Sequence, residues 1–209
     1  KDELKPILLF ISEIDFLMPY FENIYYESLD IKYKNIKTIP VVAIFPYLLR
    51  NGGNQNLLTL LNKKHFKKSE LVTTAFSSKW PQLDSIIQER KVLIEFCKQT
   101  PWIERKHWHP TEYYQELSKY KFMICPLGNG IQSPKQFECI LVETIPIVLN
   151  HPAFQDLKGY GYPLLIVNSF EELNPTMLNK LYEEKYKNIN WDELKKSLTV
   201  NGFKDKFNL

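Results

Sequence analysis

The chain has 209 residues, of which 44% are hydrophobic, enough to bury the core of one large domain or of two small ones. The formal net charge of +3 is mild, and no basic run is long enough to indicate a nucleic-acid-binding arm. No apolar run reaches the length of a membrane-spanning helix, so we expect no membrane span and no nucleic-acid partner.

The three cysteines predict a reducing environment. Cys97, Cys125 and Cys139 are odd in number and far apart, and two of them lie inside apolar runs, as reduced core thiols do. We therefore expect a cytoplasmic protein. The abundance of Lys, Asn and Ile is typical of an AT-rich viral or microbial genome, so a viral protein in a host cytoplasm fits as well. Because no Met opens the chain, we expect part of a longer, multidomain protein.

In the N-terminal third, short β-rich runs alternate with an amphipathic stretch, a pattern typical of parallel βαβ units. Strands are predicted over Ile7–Ser12 and Ile39–Phe45, and a short helix is predicted over Asn56–Lys63. The polar stretch Asn62–Ser69 is typical of a linker, and its lysines favour a solvated segment over a nucleic-acid site. This pattern predicts a small N-terminal lobe, residues 1–65.

The remaining residues, 66–209, repeat the alternation more regularly and predict a fuller α/β lobe. The stretch Gln82–Lys98 has apolar residues at near-helical spacing, and Pro110 opens a second helix that extends to Tyr120. The other predicted elements are strands at Leu71–Phe76, Phe122–Cys125, Ile145–Leu149 and Pro163–Val167, a helix at Pro134–Val142, and helical stretches from Ser169, Pro175 and Trp191. Two α/β lobes leave a cleft at the carboxyl ends of their strands, where open parallel sheets bind ligands.

A glycine-containing turn follows the predicted strand Phe122–Cys125. Gly128 and Gly130 allow positive φ and let backbone N–H groups come close to a ligand. The next helix, capped by Ser133, directs the positive end of its dipole into the same space. These features favour an anion as the ligand, although a plain turn before a capped helix has the same pattern.

Two charged residues of this helix extend the hypothesis to a nucleotide. Lys135 lies in the first turn, where a helix prefers negative charge, and a diphosphate would relieve that conflict. Glu138 follows about one turn after the helix begins, near enough to bind a polyol such as ribose. The arrangement therefore fits a nucleotide diphosphate, with amides and Lys135 at the phosphates and Glu138 at the sugar hydroxyls.

Five motifs between Tyr113 and Val148 occur in an order that is known from one family. They are a Tyr-rich helix from Tyr113, Cys125-Pro126, Gly128-Asn129-Gly130, Phe137-Glu138 and Ile145-Pro-Ile-Val148. In this order and spacing, the segment resembles the donor-binding half of exostosin-like glycosyltransferases. A weaker likeness extends the resemblance to roughly Leu71–Leu173.

The resemblance implies a GT-B-like fold, with two facing Rossmann-like lobes and parallel sheets. It implies an enzyme that transfers a hexose or pentose from a UDP- or GDP-type donor to a glycan with inversion. The reaction would need no metal or other cofactor. The resemblance also implies residue roles. Glu138 would hold the ribose, Asn129 and Gly130 would line the phosphate turn, and Lys135 and Arg90 would face the diphosphate.

The chain departs from the family pattern at four positions. Lys135 stands where the family has Arg, and a lysine keeps the charge but loses the bidentate phosphate geometry. Pro134 replaces a His, Gln132 replaces an Asp, and Glu143-Thr144 stands where a Gly is usual. These changes bear on the identity of the donor more than on donor binding, and we keep Gln132 and Ser133 in the predicted donor site.

Further candidates come from the ends of predicted strands. Ser77, Ser78 and Lys79 follow the first strand of the larger lobe and would reach the donor. An inverting transfer needs a base for the acceptor's proton, and Glu13 and Asp15, after the first predicted strand, are the candidates. For Asp15 the alternative is a helix cap. Arg50 and Asn51, in the loop after the second predicted strand, would contact the acceptor or phosphate, or are simply polar loop residues.

The aromatic stretch Thr100–Pro110 contains His107-Trp108-His109, but two histidines without a third ligand are a weak zinc signal, so no metal site is predicted. In a GT-B fold this stretch lies beside the nucleotide base, where Trp102, Trp108 or His109 would stack, or it packs between the lobes. A second functional class stays open, namely a nucleotide- or carbohydrate-binding module of a larger protein that has lost catalysis.

Overall fold

The structure is a computed structural model, and it describes residues 12–21, 23–27, 30, 32–33, 36–41, 53–62, 65–76, 84–128 and 130–207. Several predictions fall outside these residues. They are most of the strand Ile7–Ser12, the part of Ile39–Phe45 beyond Val41, and the candidate site residues Arg50, Asn51, Ser77, Ser78, Lys79 and Asn129.

The N-terminal part contains a small parallel sheet of two strands. Strand β1 (Ile24–Tyr26) pairs with β2 (Ile36–Thr38), with Ile24 opposite Ile36. Residues 12–17 are helical and continue into a 3-10 turn, Met18–Tyr20. The sequence pattern missed both strands, since a strand of three residues is too short to display a side-chain alternation. Residues 39–41 follow β2 and are not in a strand, so the predicted strand there begins too late.

Helix α1 (Gly53–Leu61) leads into a five-stranded parallel sheet in the larger part of the chain. The strands of this sheet are β3 (Glu70–Thr74), β4 (Ile103–Arg105), β5 (Tyr120–Ile124), β6 (Ile145–Leu149) and β7 (Leu165–Val167). Their spatial order is β4-β3-β5-β6-β7. An α/β fold built from parallel sheets, with a small N-terminal sheet, is therefore confirmed.

Helices connect successive strands of the larger sheet, and further helices follow its last strand. They are α2 (Asp84–Gln99), α3 (Tyr113–Leu117), α4 (Pro134–Leu141), α5 (Pro152–Gly159), α6 (Pro175–Leu181), α7 (Trp191–Ser197) and α8 (Val200–Phe207). A 3-10 turn spans Phe170–Glu172, and a π-helical turn, Tyr182–Tyr186, follows α6. Helices α2 and α4 agree closely with their predicted bounds, α3 is shorter than predicted, and α5 and α8 were not predicted.

The core lies on both faces of the large sheet. In β5 every residue except Lys121 is buried, and in β6 every residue except Leu149 is buried. Strands covered by helices on both faces lose the alternation of apolar and polar residues, which explains why these two appear as continuous apolar runs. Their burial makes the ends of β5 and β6 rigid points from which loops can hold side chains in fixed positions.

The predicted linker packs against the amino ends of β3, β5 and β6. The Lys68 ammonium donates to Ser118 O (2.8 Å), Val142 O (2.8 Å) and Thr144 Oγ1 (3.2 Å). Two of these acceptors lie at the C-terminal ends of α3 and α4, where a cation also meets the negative end of the helix dipole. Residues 65–69 are therefore anchored at Lys68, which argues against a fully solvated basic linker. The boundary between the predicted lobes stays a prediction.

An ion pair lies next to this anchor. Glu143 Oε1 accepts from Lys195 Nζ at 2.8 Å, and Glu143 Oε2 accepts from Phe66 N at 3.3 Å. Glu143 has φ 61°, a left-handed conformation that favours glycine, at the position where the exostosin-like pattern has Gly. We call Phe66, Lys68, Glu143, Thr144 and Lys195 the amino-end cluster. Burial lowers the pKa of Lys68 to about 7, against the opposing effect of the Glu143 carboxylate.

The N-terminal sheet contacts the larger part directly. Asp156 of α5 accepts from Thr38 N through Oδ2 at 3.1 Å, which ties the end of β2 to that helix. The hydroxyl of Tyr25 donates to Phe207 O at 3.2 Å, and the two rings meet edge to face at 5.9 Å. Helices α5 and α8, which the sequence analysis did not predict, therefore provide the contacts that hold β1 and β2 in place.

Candidate functional site

The centre of the large sheet holds a topological switch point. From β3 the chain crosses to β4 on one side, and from β5 it crosses to β6 on the other. In open parallel sheets the crevice beyond the carboxyl ends of two such strands is the usual ligand site. Here that crevice lies between the residues after β3, Ala75 and Phe76, and the Cys125–Gly128 segment after β5. The glycine-containing turn singled out in the sequence is therefore at the switch point.

Helix α2 holds the backbone of this turn through two neighbouring side chains. Glu89 Oε1 accepts from Leu127 N at 3.2 Å, and Arg90 donates to Leu127 O from Nη2 at 2.8 Å and from Nε at 3.3 Å. Burial raises the pKa of Glu89, and its bond to Leu127 N and the charge of Arg90 oppose that shift. Arg90, predicted to face the diphosphate, is thus at the turn, with part of its guanidinium bonded to a carbonyl. The sequence analysis did not identify Glu89 as a site residue, because no local pattern distinguishes a helical glutamate that binds a distant loop from one that faces solvent.

Gly128 is needed for space. Its φ is not positive, and the turn bond runs from Gly128 N to Gly130 O at 3.0 Å. A Cβ at this position would lie 3.1 Å from Ser133 Cβ and 3.2 Å from Gln132 O, tighter than ordinary packing. The sequence argument expected glycine for conformational freedom as well as for close approach, and at Gly128 only the close approach applies. The turn therefore lies directly against the start of α4.

Gln132 bonds to the N-terminal part of the chain. Its Nε2 donates to Ile39 O at 3.0 Å, and its Oε1 accepts from Val41 N at 3.2 Å. One amide thus pairs with the carbonyl and the N–H of an extended segment, which an aspartate could not do because it has no donor. The predicted donor contact of Gln132 stays a prediction, and the bonds found here give it a second role as a tether between the turn and residues 39–41.

Ser133 begins α4 as its N-cap, in an extended conformation with φ −140° and ψ 161°, and Pro134 occupies the first helical position. Gln136 Oε1 accepts from Ser133 N at 2.8 Å and from Ser133 Oγ at 3.1 Å. This reciprocal bond is one half of a capping box, and it fixes the angle at which the chain enters the helix. The predicted cap is therefore in place, directly after the turn. The first turn of α4 contains no acidic residue.

Lys135 and Glu138 meet at one tyrosine. The hydroxyl of Tyr113, the first residue of α3, donates to Glu138 Oε2 at 3.0 Å. The Lys135 ammonium lies 5.1 Å from the centroid of the same ring, within the range of a cation–π contact. Glu138 and Tyr113 are both buried, whereas Lys135 is half-buried. The structure therefore brings the two predicted charged ligands together and adds Tyr113, which the sequence analysis used only as part of a motif.

Buried thiols lie behind Glu138. Cys125 Sγ and Cys139 Sγ are 3.9 Å apart, and Met123 Sδ lies 3.5 Å from Cys139 Sγ. All three cysteines of the chain are unpaired, and burial together with the neighbouring Cys125 raises the pKa of the Cys139 thiol. The prediction of reduced core thiols at Cys125 and Cys139 is confirmed, and Cys97 is only partly buried.

The two candidate bases lie on a helical segment. Glu13 and Asp15 both lie in the helical residues 12–17, and both are exposed. Asp15 Oδ1 accepts from the Tyr33 hydroxyl at 2.7 Å. The strand predicted before them lies almost entirely outside the described residues, so that part of the prediction stays open. The alternative of Asp15 as the cap of a following helix was wrong, because Asp15 lies within the helical residues 12–17. Their catalytic role stays a prediction.

The aromatic stretch before α3 is mostly structural. Trp108 packs at 5.9 Å from the Tyr113 ring and at 5.8 Å from the Tyr120 ring, inside the larger part of the chain. His109 is exposed, and its Nδ1 is 2.8 Å from Thr111 Oγ1. The stretch also contains β4, a strand that the sequence analysis did not predict. In the part of the chain that the structure describes, no three His, Cys, Asp or Glu side chains are grouped as metal ligands.

Comparison with known proteins gives partial matches to plant enzymes, while no family model matches the chain. Over 60 residues, 29% of this chain, it is 32% identical to the probable beta-1,4-xylosyltransferase IRX10L of Arabidopsis thaliana. The probable glucuronosyltransferase Os02g0520750 of Oryza sativa subsp. japonica matches with the same identity and length. The matched stretch is 14% of each of these relatives. These likenesses support a glycosyltransferase kind of function.

No helix within the described ranges has both the length and the apolar character needed to cross a bilayer.

Proposed function

We propose that this chain carries the donor-binding half of a GT-B-type glycosyltransferase, which moves a hexose or pentose from a nucleotide-diphosphate donor to a glycan acceptor. The observation that carries the proposal is the position of Lys135 and Glu138, in the first turns of α4, beside a glycine-containing turn at the switch point of a parallel sheet. The partial likeness to a xylosyltransferase and a glucuronosyltransferase supports the same reaction class.

The donor would lie along the turn and the start of α4. Backbone amides near Gly130 and the Lys135 ammonium would bind the diphosphate, because a helix N-terminus and a cation both favour an anion. The Glu138 carboxylate would accept hydrogen bonds from the ribose hydroxyls. Tyr113 already donates to one oxygen of the same carboxylate. Either a UDP or a GDP donor is compatible with these contacts.

The leaving diphosphate would be stabilised by protein groups, without a divalent ion. Lys135 lies in the first helical turn of α4, and Arg90 bonds to Leu127 O in the glycine-containing turn that precedes this helix. Fixed cations and amides that face a developing anion lower the free energy of the transition state. The acceptor's proton would pass to Asp15 or Glu13 in an inverting transfer.

Donor hydrolysis tests this proposal. The protein is incubated with UDP- and GDP-sugars without acceptor, and slow release of the free nucleotide is measured. We expect hydrolysis that persists in EDTA and is lost in Glu138→Gln, which keeps the side-chain volume but removes the charge. Asp15→Asn should retain nucleotide binding and lose transfer to an added glycan. Loss of turnover on chelation would contradict the metal-independent reaction.

One observation favours a non-catalytic binding module as the second candidate. Among the predicted donor ligands, the side chains of Arg90 and Gln132 both bond to main-chain atoms. Lys135 makes no such bond within the described residues and contacts the Tyr113 ring instead. In that case UDP or GDP binds to the wild-type chain, and no donor is hydrolysed at any enzyme concentration. Binding without turnover would decide for the module.

A further inference from the structure

Tyr113 contacts both charged residues of the proposed donor site with different parts of one side chain. Its hydroxyl donates to Glu138 Oε2 at 3.0 Å, while its ring face lies 5.1 Å from the Lys135 ammonium. Lys135 and Glu138 are three residues apart on α4, so they share one face of that helix. The phenol of Tyr113 therefore fixes the carboxylate by a hydrogen bond and seats the ammonium on its π face.

The Tyr113 ring is itself held on three sides. Trp108 packs against it at 5.9 Å, Tyr114 meets it edge to face at 5.2 Å, and Met123 Sδ lies 4.0 Å from its hydroxyl. Only 6% of its surface is exposed. A side chain with so little freedom is suited to positioning others, because it loses no further rotamer entropy when a ligand binds.

The protonation state of Tyr113 supports this role and argues against a role as the base. Burial raises its pKa well above the usual range, and the neighbouring Glu138 carboxylate raises it further. The phenol therefore stays protonated at any pH at which the protein works. It acts as a hydrogen-bond donor to Glu138 and cannot accept the acceptor's proton.

We infer that Tyr113 is a positioning residue that divides donor recognition into two separable halves. Its hydroxyl orients Glu138 toward the ribose hydroxyls, and its ring orients Lys135 toward the diphosphate. This inference rests on the proposed function. It goes beyond it, because it assigns to one uncharged side chain the arrangement of both charged ones. Without the ring, a cation and an anion at i and i+3 on one helix are drawn toward each other and away from the ligand.

The test compares a nucleotide, its dideoxy analogue and inorganic pyrophosphate in wild type and in two variants of Tyr113. Titration calorimetry measures UDP and 2′,3′-dideoxy-UDP, or the matching guanosine pair if GDP binds more tightly, with wild type and Tyr113→Phe. We expect the wild type to prefer the natural nucleotide by about tenfold, the contribution of hydrogen bonds to a charged group. In Tyr113→Phe this preference should fall to about twofold, while inorganic pyrophosphate binds as in wild type. Tyr113→Leu should also weaken pyrophosphate binding, by about fivefold.

Tyr120→Phe is the matched control. Its hydroxyl donates to Glu104 Oε2 at 2.7 Å, so the variant also loses one tyrosine–glutamate bond, at the amino end of β5. We expect both nucleotide preference and pyrophosphate affinity to be unchanged in it. Thermal unfolding of each variant shows whether the chain is folded, and a general loss of folding would lower all affinities together and leave the preference intact.

The outcomes separate this inference from the proposed function. A tenfold preference that persists in Tyr113→Phe overturns the inference and leaves nucleotide binding in place. A wild type that binds pyrophosphate but neither UDP nor GDP overturns the proposed function, and the inference falls with it. Equal weakening of nucleotide and pyrophosphate in Tyr113→Phe overturns the division into two halves.

Discussion

The two ends of the large sheet use charged side chains in opposite ways. At the amino ends of the strands, the Lys68 ammonium has three oxygen acceptors, and Glu143 binds Lys195 and Phe66 N. At the carboxyl ends, the contact recorded for the Lys135 ammonium is the face of the Tyr113 ring. An ammonium group with three oxygen acceptors has no N–H donor left for a ligand. An ammonium group on a ring face keeps its N–H groups able to donate. We therefore propose that the amino-end cluster contributes stability and that the opposite edge binds the ligand.

The largest effect should come from removing the hydrogen-bond donors of Lys68. Lys68→Met keeps the length of the side chain but leaves Ser118 O, Val142 O and Thr144 Oγ1 without this donor, which should lower the free energy of unfolding by about 3 kcal/mol. Chemical denaturation measures the loss. Nucleotide affinity of the folded variant should match that of wild type, and a variant as stable as wild type would refute a structural role for the cluster.

The same lysine should make stability depend on pH. Its pKa is lowered to about 7 in the folded chain, below the unfolded value of 10.5, mainly by burial. Between these two values the unfolded state binds more protons than the folded state, so the free energy of unfolding rises with pH. From pH 7 to pH 9 the rise due to Lys68 should be about 2 kcal/mol. This rise is measured as the difference between wild type and Lys68→Met in the pH dependence of the free energy of unfolding. The contributions of the other titrating groups cancel in that difference. Parallel profiles would contradict the lowered pKa.

At the other edge, Lys135→Ala should affect binding and leave stability almost unchanged. Loss of a charged contact to the diphosphate should weaken UDP or GDP binding by about 2 kcal/mol, or roughly thirtyfold, with little change in the denaturation midpoint. Lys180→Ala removes the same charge from an exposed position on α6, and it controls for the effect of net charge. If both variants bind nucleotide equally well, Lys135 is not a phosphate ligand.

Glu143 allows the strain in the amino-end cluster to be measured separately from its ion pair. Glu143→Ala and Glu143→Gly both lose the bonds to Lys195 and Phe66 N, but only glycine accepts φ 61° without cost. The Gly variant should therefore be more stable than the Ala variant by about 1 kcal/mol. At Glu95, an exposed helical residue of α2, the order should reverse, since glycine is unfavourable inside a helix. The same order at both positions would show that Glu143 is not strained.

The smallest effect should come from Gln132, which connects the two regions of the chain. Gln132→Met keeps the size of the side chain and removes both bonds to residues 39–41, so amide exchange at Val41 should become about fivefold faster, as expected for about 1 kcal/mol. Gln155→Met removes an exposed amide pair as the control. Nucleotide affinity should stay within twofold of wild type. A thirtyfold loss, like that expected for Lys135→Ala, would instead make Gln132 a donor ligand.

Local patterns predicted the core of the larger part of the chain well. The buried runs that became β5 and β6 and the amphipathic stretch that became α2 each have enough residues for their periodicity to be visible. The N-cap at Ser133 is also a local signal, because a cap bonds to its own helix. Strands β1, β2 and β4, with three residues each, were missed because they depend on neighbours that are distant along the chain.

By itself the sequence determined an α/β fold with parallel strands, and it determined that a glycine turn, a lysine and a glutamate follow one another at the end of a buried strand. These features depend on residue order and on interactions within one or two turns of helix. Only the tertiary structure decided which partners those side chains have. Arg90 and Gln132 bond to backbone atoms, Glu138 bonds to Tyr113, and Lys68 is anchored among three acceptors. The physical reason is that a hydrogen bond between residues far apart in sequence exists only when the whole fold brings donor and acceptor to within about 3 Å.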